Sequence, residues 1–402
     1  MLTYLEARDA IRHIAKPFAT ERVKLSQALN RVLAQPVYAD RDYPPFNRAA
    51  MDGIAIRFCD WDEGTREFHI QQTIFAGMGV STSLMKRACY KIMTGAACPN
   101  TVDTVIRMED LAFTERGTVI VRSESISIGQ HIARQGEDLA KGELTFTAPR
   151  ICDVSLIGVL AALGIDDVPV YAMPTVAIIT TGNEVIAVDQ QPRHFQIRNS
   201  NRHLLQALCQ QWQLPVQYCQ HVSDDPKALS ATLNESLKYQ LILINGGVSA
   251  GDADYVPQIL QAMGINILFH KVSIKPGKPL LAASLPSGTM IFALPGNPIS
   301  CFMTFKLFVE EYLHHCLNFS KERFIKTTLK NLRSKKSALD EFFPVFRSPD
   351  NEGHIWKPNH GSGDITATVG CDGIGWHPHH KQVIHADDTI AVLSLQPFFN
   401  VT

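Results

Sequence analysis

The stretch LILINGGVSAGDADY, residues 241 to 255, decides the fold. Four apolar residues read as a buried strand, a double glycine ends it, and two acids follow one residue apart. A strand that ends in glycines presents bare backbone N–H groups at the carboxyl edge of a sheet, a setting that favours an anion such as phosphate. Gly246, Gly247 and Ser249 are therefore candidate ligand contacts. Asp252 and Asp254 would repel that anion unless a divalent cation bridges carboxylate and phosphate, so the segment points to a metal together with a phosphorylated ligand. Asp252 suits the cap of the following helix, which leaves Asp254 as the cation-ligand candidate.

Working outward, the surrounding chain alternates strand and helix. TVAIITTG, VQYCQHV, QLILINGG, ILFHKVSI and MIFALPG read as strands, and NRHLLQALCQQW, DPKALSATLNESL, DYVPQILQAMG and PISCFMTFKLFVEEYLHHCL as helices. This grammar predicts a parallel sheet covered on both faces. The first forty residues read as helical, with Leu5, Ala7, Ile11 and Ile14 in a stripe and a second helix over SQALNRVLA capped by Ser26. From Tyr43 short alternating segments such as GIAIRF, EFHIQQTIF and TVIVRS predict a small β domain. From about Lys326 onward short strands return.

Composition bounds the function. A chain of 402 residues exceeds a single core, and 45% hydrophobic with 19% charged residues is an ordinary globular composition. A net charge of -1 without Lys/Arg runs argues against nucleic acid as a partner. Nine cysteines without a C-x-x-C pair form neither a disulfide framework nor a zinc framework, which fits a reducing cytoplasm. No apolar run reaches the roughly 18 residues that span a bilayer, and MLTYLEARDAIRHIAK lacks a signal-peptide apolar region. A soluble, cytoplasmic protein is the expectation.

In an open α/β sheet the ligand crevice lies outside the carboxyl ends of the strands, so polar residues distant in sequence meet there. The first strand supplies Thr180, Thr181, Gly182, Asn183 and Glu184. The second supplies Asp224 and Asp225. Asp225 precedes Pro226, an arrangement that caps a helix and is worth roughly 1 kcal/mol, which frees Asp224 to face the crevice. In HKVSIKPGKP, strand alternation would put Lys271, Ser273 and Lys275 on one face, and Gly277 lets Lys278 return to it. Those ammonium groups suit a multiply charged ligand. LPGNP, residues 294 to 298, reads as a tight strand-to-helix turn with Asn297 as N-cap and Pro298 as first helical residue, its free N–H groups facing an anion. HPHHK, residues 377 to 381, reads as a solvated turn rather than a zinc site. Cys209, Cys301 and Cys316 read as core.

PPFNRAAMDGIAI, IMTGA, TTGNEV, NSNR, DDPKAL, GGVSAGDADY, IKPGKP and LPGNPIS stand in the order and spacing of the MoeA family of molybdopterin molybdenumtransferases, which includes the carboxyl-terminal domain of gephyrin. The resemblance covers roughly residues 1 to 320, and weakly the rest. It implies an enzyme of molybdenum cofactor biosynthesis that takes molybdate and adenylylated molybdopterin as substrates, inserts the metal and releases AMP, with Mg2+ or another divalent cation as cofactor. The implied architecture is multi-domain α/β plus β. A helical linker domain comes from residues 1–42 plus 139–172, a β-rich domain from 43–138, an α/β molybdopterin-binding domain with a central parallel sheet from 173–322, and a β-barrel-like domain from 323–402. The implied state is a homodimer, with molybdopterin adenylyltransferase and apo-molybdoenzymes as partners. Carried over position by position, Asp52, Asp224, Asp254, Lys271, Lys275 and Lys278 hold catalytic roles. Glu184, Asp224 and Asp254 hold the metal. Thr94, Asp138, Pro295, Pro298 and Ser362 join Gly246, Gly247 and Ser249 in binding substrate. Asp52, from a different domain, is expected to join from a neighbouring domain or the partner chain.

Three departures from the family pattern stand out. Asn199 replaces the usual Asp, ARQGED carries one Arg beside Asp138 where bacterial relatives have three, and Pro344 sits where relatives carry an Arg. These keep a catalytically weakened paralogue as an alternative, beside a gephyrin-like scaffold that binds a partner peptide. A molybdopterin adenylyltransferase is disfavoured, because that enzyme is a single small α/β domain.

Overall fold

The computed structural model describes residues 1–79, 83–248 and 255–395. The chain divides into two compact units. One comprises Met1–Ala34, Pro149–Ile157 and Asp167–Thr402, and the other Gln35–Ala148 with Gly158–Asp166.

At the centre of the first unit is a six-stranded sheet in the order Val216–Val222, Val176–Thr181, Leu241–Asn245, Met290–Leu294, Leu281–Ser284, Asn266–His270. The first four strands are parallel neighbours, as the alternation of strand and helix requires. Leu281–Ser284 runs against both of its neighbours, so the sheet is mixed rather than purely parallel. Period-two geometry sends successive side chains to opposite faces. Val176, Ile178, Leu241, Leu243 and Phe292 enter one core with the helix Ser200–Gln211 and the helical run from Pro298 to Cys316. Ala177, Ile179, Ile242, Ile244 and Ile291 enter a second core with the helices Pro226–Ser236 and Val256–Ala262. Continuous burial on both faces is why these strands read as unbroken apolar runs. Cys209, Cys301 and Cys316 all lie in the first core.

The long last helix is interrupted by a π turn over Phe305–Val309 before continuing as Glu310–Cys316. Here the fold buries charge. Glu310 accepts from Lys306 Nζ at 2.7 Å and from Trp212 Nε1 at 2.8 Å, while Arg323 pairs with its other oxygen. Apolar periodicity gave no sign of this cluster.

Two expectations for the first forty residues change. The first helix, Tyr4–Ile14, is secured by a reciprocal capping box between Thr3 and Glu6, and it buries Tyr4, Ala7 and Ile11 while Leu5 is exposed. SQALNRVLA forms no second helix. A 3-10 turn covers Leu25–Gln27, and Val32–Leu33 joins a four-stranded sheet with Thr20–Lys24, Asp167–Tyr171 and Arg150–Ile151. Pairing with distant strands overrides the helical periodicity of that segment.

The carboxyl-terminal part of the first unit is a closed barrel. Asp340–Arg347, His354–Trp356, Phe324–Leu329, Asp388–Ser394 and Gly373–His377 pair in sequence, and the last returns to the first. Ile274–Lys275 adds to it in parallel register, with Lys275 opposite Glu341. This placement corrects the reading of ILFHKVSI as one strand. The sheet strand ends at His270, Lys271 turns with φ +71°, and Ile274–Lys275 belongs to the other sheet, so Lys271, Ser273 and Lys275 share no strand face.

The second unit holds a six-stranded sheet in the order Thr104–Arg107, Gly53–Ile56, Ala88–Ile92, Glu67–Ile74, Thr118–Val121, Leu111–Phe113. The three segments read as strands from sequence are all present. Gly53 packs so closely on its neighbour that a Cβ there would lie 1.8 Å from the Ile106 carbonyl oxygen, so no side chain fits after Asp52.

Candidate active site

A cleft of about 1370 Å³ opens in the first unit at the carboxyl ends of the parallel strands. Thr180, Thr181, Gly182 and Glu184 reach it from the first strand, and Asp224 from the second. Gly246 and Gly247 follow the third strand, and Pro295 and Pro298 follow the fourth. Lys275 and Lys278 supply positive charge, and Ser362 lines the wall. Residues spread from Thr180 to Ser362 thus meet, as the crevice rule for open α/β sheets predicts.

The acid-bearing turns are held by specific hydrogen bonds. Asn183 N donates to Asp224 Oδ2 at 3.1 Å, and Asp224 N donates to Asn183 Oδ1 at 3.1 Å, which clamps the first two strand ends together. A Cβ on Gly182 would lie 3.1 Å from each carboxylate oxygen of Glu184, so the missing side chain makes room for that acid. Asp225 caps its helix as expected, accepting from Lys227 N and Ala228 N.

The glycine loop and the LPGNP turn are braced by asparagines. Gly246 and Gly247 adopt φ of +98° and +67°, and a Cβ on Gly246 would lie 2.6 Å from Thr181 Oγ1. Asn201 Nδ2 donates to Asn245 Oδ1 at 2.9 Å and to the Gly296 carbonyl at 2.5 Å, while Asn245 Nδ2 donates to the Pro295 carbonyl at 2.8 Å. Asn297 is the N-cap residue, but its side chain does not cap. Its Nδ2 donates instead to Ser362 Oγ at 2.8 Å, and the Ser362 carbonyl accepts from Ile299 N, so one N–H expected to be free for an anion is taken by protein.

The barrel, and beside it the two-stranded sheet of Arg333–Ser334 and Val383–Ile384, contribute residues that the sequence did not single out. Lys275 Nζ lies 3.4 Å from Glu341 Oε1, and Glu341 Oε2 accepts from Arg333 Nη2 at 2.7 Å. Burial opposes ionisation of Glu341, but the hydrogen bond and charge of Arg333, with Lys275 beyond, outweigh it and hold the carboxyl below its usual range. Arg333 also donates to Nδ1 of His377 at 2.6 Å. His377 is buried at a strand end, not solvated in a turn, and burial followed by the Arg333 and Lys335 charges pushes it down to about 4. Arg198, Asn199, Asn201 and Pro344 also line the cleft.

Other expected residues lie elsewhere. Lys271 is not among the cleft-lining residues. Ser249, Asp252 and Asp254 fall outside the described residues. In the second unit, Thr94 donates to Asp52 Oδ1 through its backbone N–H at 2.6 Å and its hydroxyl at 2.8 Å, and these two bonds hold the Asp52 carboxyl below its usual range. The structure therefore brings together the two residues drawn from PPFNRAAMDGIAI and IMTGA. Asp138 is exposed in the same unit, its N–H donating to the Tyr43 carbonyl.

Residues 2–164 match the model of the MoeA N-terminal region (domain I and II), and residues 177–315 match that of the probable molybdopterin binding domain. A molybdopterin molybdenumtransferase from Synechococcus elongatus is 32% identical over 94% of this chain and 95% of its own length. The chain belongs to the MoeA family of molybdopterin molybdenumtransferases. A second member, from Staphylococcus aureus strain MRSA252, is 31% identical over 97% of this chain and 95% of its own. The crystal structure of the moeA protein from Pyrococcus horikoshii OT3 superposes with a TM-score of 0.83 at 26% identity, covering 98% of this chain and all of the other. The MoeA relationship makes this chain an enzyme of molybdenum cofactor biosynthesis.

Whether the cleft suits a divalent cation can be judged from its donors. Glu184 and Asp224 offer two hard carboxylate oxygen sets beside lysines and a glycine loop, the chemistry that Mg2+ shares with phosphate oxygens and water. Among the described residues no group of three potential ligands gathers, and Asp254, the third ligand expected from the sequence, lies outside them. Also among the described residues, no helix is long and apolar enough to cross a membrane.

Proposed function

We propose that this chain inserts molybdenum from molybdate into adenylylated molybdopterin and releases AMP, using the first-unit cleft. The observation that carries the reading is the meeting of Glu184 and Asp224 with Lys275, Lys278 and the Gly246–Gly247 turn in one cleft. Opposite charges gathered in this way suit a substrate that carries several negative charges and is bound with a cation. Glu184 and Asp224 would hold Mg2+, with Asp254 as the third expected ligand. When bound, the cation polarises the pyrophosphate linkage and offsets the charge that develops on departing AMP. Lys275 and Lys278 act as point charges for molybdate and phosphate oxygens. Glu341 keeps Lys275 at the cleft wall, and Arg333 neutralises Glu341 so that the wall does not repel an anion.

We assign Asp52 and Thr94 a part in the same reaction, with Thr94 keeping Asp52 ionised, and we propose a homodimer in the cytoplasm as the working form. Full-length similarity to molybdenumtransferases does not favour a scaffold or a weakened paralogue. Asn199 and Pro344 both line the cleft, beside Glu184, Asp224, Lys275 and Lys278. The test mixes purified protein with adenylylated molybdopterin, molybdate and Mg2+. AMP should be released and the product should reconstitute an apo-molybdoenzyme. Asp254→Asn should abolish release without unfolding the chain, and full release by that variant would remove Asp254 from the mechanism.

A further inference from the structure

The first two strand ends are joined by a polar chain that the reaction scheme does not use. Asn199, the N-cap of the helix Ser200–Gln211, accepts from Arg202 N at 3.0 Å through Oδ1 and donates through Nδ2 to Thr180 Oγ1 at 2.8 Å. Thr180 Oγ1 lies 3.0 Å from His221 Nδ1, its register partner on the neighbouring strand. His221 Nε2 lies 3.1 Å from the carbonyl oxygen of Gly182. Asn199 and Thr180 are both buried.

For a neutral imidazole, the direction of every bond in this chain follows from its two ends. The Arg202 N–H can only donate, so it fixes the oxygen of the Asn199 amide on the helix side and the NH2 on the Thr180 side. The Gly182 carbonyl can only accept, so Nε2 of His221 carries a hydrogen. A neutral imidazole has one N–H, which leaves Nδ1 bare to accept from the Thr180 hydroxyl. The hydroxyl in turn accepts from Asn199. All four groups are satisfied in this one arrangement.

We propose that His221 is a positioning residue for the transferase site, held in its Nε2–H tautomer by Thr180 and Asn199 so that it fixes the Gly182 carbonyl and thereby the turn that carries Asn183 and Glu184. The proposal rests on the cleft being the site of the reaction. It also explains why asparagine, and not aspartate, is matched to this site. An aspartate at 199 would accept from the Thr180 hydroxyl, which would then have to accept from Nδ1–H, and Nε2 of a neutral ring would face the Gly182 oxygen with no hydrogen.

The tests use the full chain. Nitrogen-15 NMR of histidine-labelled protein, with the His221 signal assigned by its loss in His221→Gln, should show the Nε2–H tautomer. In Asn199→Asp that signal should move to the Nδ1–H or doubly protonated form. In the AMP-release assay, His221→Asn keeps a group near Thr180 but cannot reach Gly182, and kcat should fall about tenfold with little change in the KM for molybdate. His221→Gln, whose amide reaches toward the Nε2 position, should restore most of kcat. An Nδ1–H tautomer in the unaltered protein overturns the proposal. So does a His221→Asn variant that loses thermal stability while kcat is unchanged. Should the unaltered protein release no AMP, the transferase reading of the cleft fails, and the NMR result still decides the hydrogen-bond chain.

Discussion

Gly182→Ala tests how tightly the turn behind the first strand is tied to the acid it carries. The backbone at Gly182 has φ +135°, and an ideal Cβ there would lie 2.8 Å from Val185 Cγ2 and 3.1 Å from each Glu184 carboxylate oxygen. An L side chain at this backbone geometry costs about 1–3 kcal/mol, and the contacts require neighbours to move by several tenths of an ångström. Val185 is half-buried whereas Glu184 is exposed, so the carboxylate gives way first. Metal–oxygen distances tolerate about 0.2 Å, so the displaced acid should bind a cation about tenfold more weakly. Calorimetric titration of Mn2+ in the presence of adenylylated molybdopterin measures this directly, alongside AMP release. Gly264→Ala is the control, since Gly264 has φ +70° and nothing within 4 Å of its would-be Cβ. It should carry only the smaller strain of a left-handed alanine and leave cation affinity unaltered. Equal cation affinities for Gly182→Ala and Gly264→Ala would refute the placement of Glu184 as a ligand.

The buried charge cluster and the histidine beside it make further predictions. Glu310→Gln leaves Lys306 and Arg323 around a neutral amide, with the Lys306 and Glu310 side chains 1% and 0% exposed, and should cost about 3–5 kcal/mol, read as a lower denaturant midpoint for the first unit. His314 is pushed down to about 3, chiefly by burial and next by the Arg323 charge, from an ordinary 6.5. The unfolded chain therefore binds this proton first. The contribution of His314 is complete above pH 6.5 and is lost as pH falls toward 3, on the order of 4 kcal/mol by pH 3. His314→Gln should flatten that limb of the stability curve. Burial opposes ionisation of Glu311, but His315, Arg323 and Arg12 together bring it down to about 2, so its own contribution is complete above 4.5 and is lost between 4.5 and 2. Unfolding across that lower range should remain steep in His314→Gln.

Much of the α/β sheet was legible because its central strands are buried on both faces and so read as uninterrupted apolar runs. VQYCQHV coincides with the strand Val216–Val222, and the helices followed from their caps, with Asp225–Pro226 the clearest. Leu281–Ser284 was not legible. LAAS lacks the β-branched residues that mark a strand, and its place is set by its two neighbours. SQALNRVLA misled for the opposite reason, having helical spacing but strand partners far along the chain. At the site, the strand-end rule gathered Glu184, Asp224 and the glycines. The shared face of Lys271, Ser273 and Lys275 failed because alternation was extended through a residue with positive φ, which no spacing argument reveals. Glu341 reaches the cleft from the barrel and Arg333 from the two-stranded sheet it forms with Val383–Ile384, and the one local sign was an acid, Glu341, leading into the apolar run FFPVF. A charge entering a buried strand needs a partner, and that requirement could have directed attention to Arg333.

The measurement that bears most directly on the central claim is calorimetric binding of adenylylated molybdopterin with and without Mg2+, for the unaltered chain and for Asp224→Asn. Binding should be tight only with the cation present, and the substitution should weaken it at least tenfold. Binding of equal strength in all four experiments, or none in any, would contradict a cleft in which carboxylates and lysines are joined through a cation and a phosphorylated pterin.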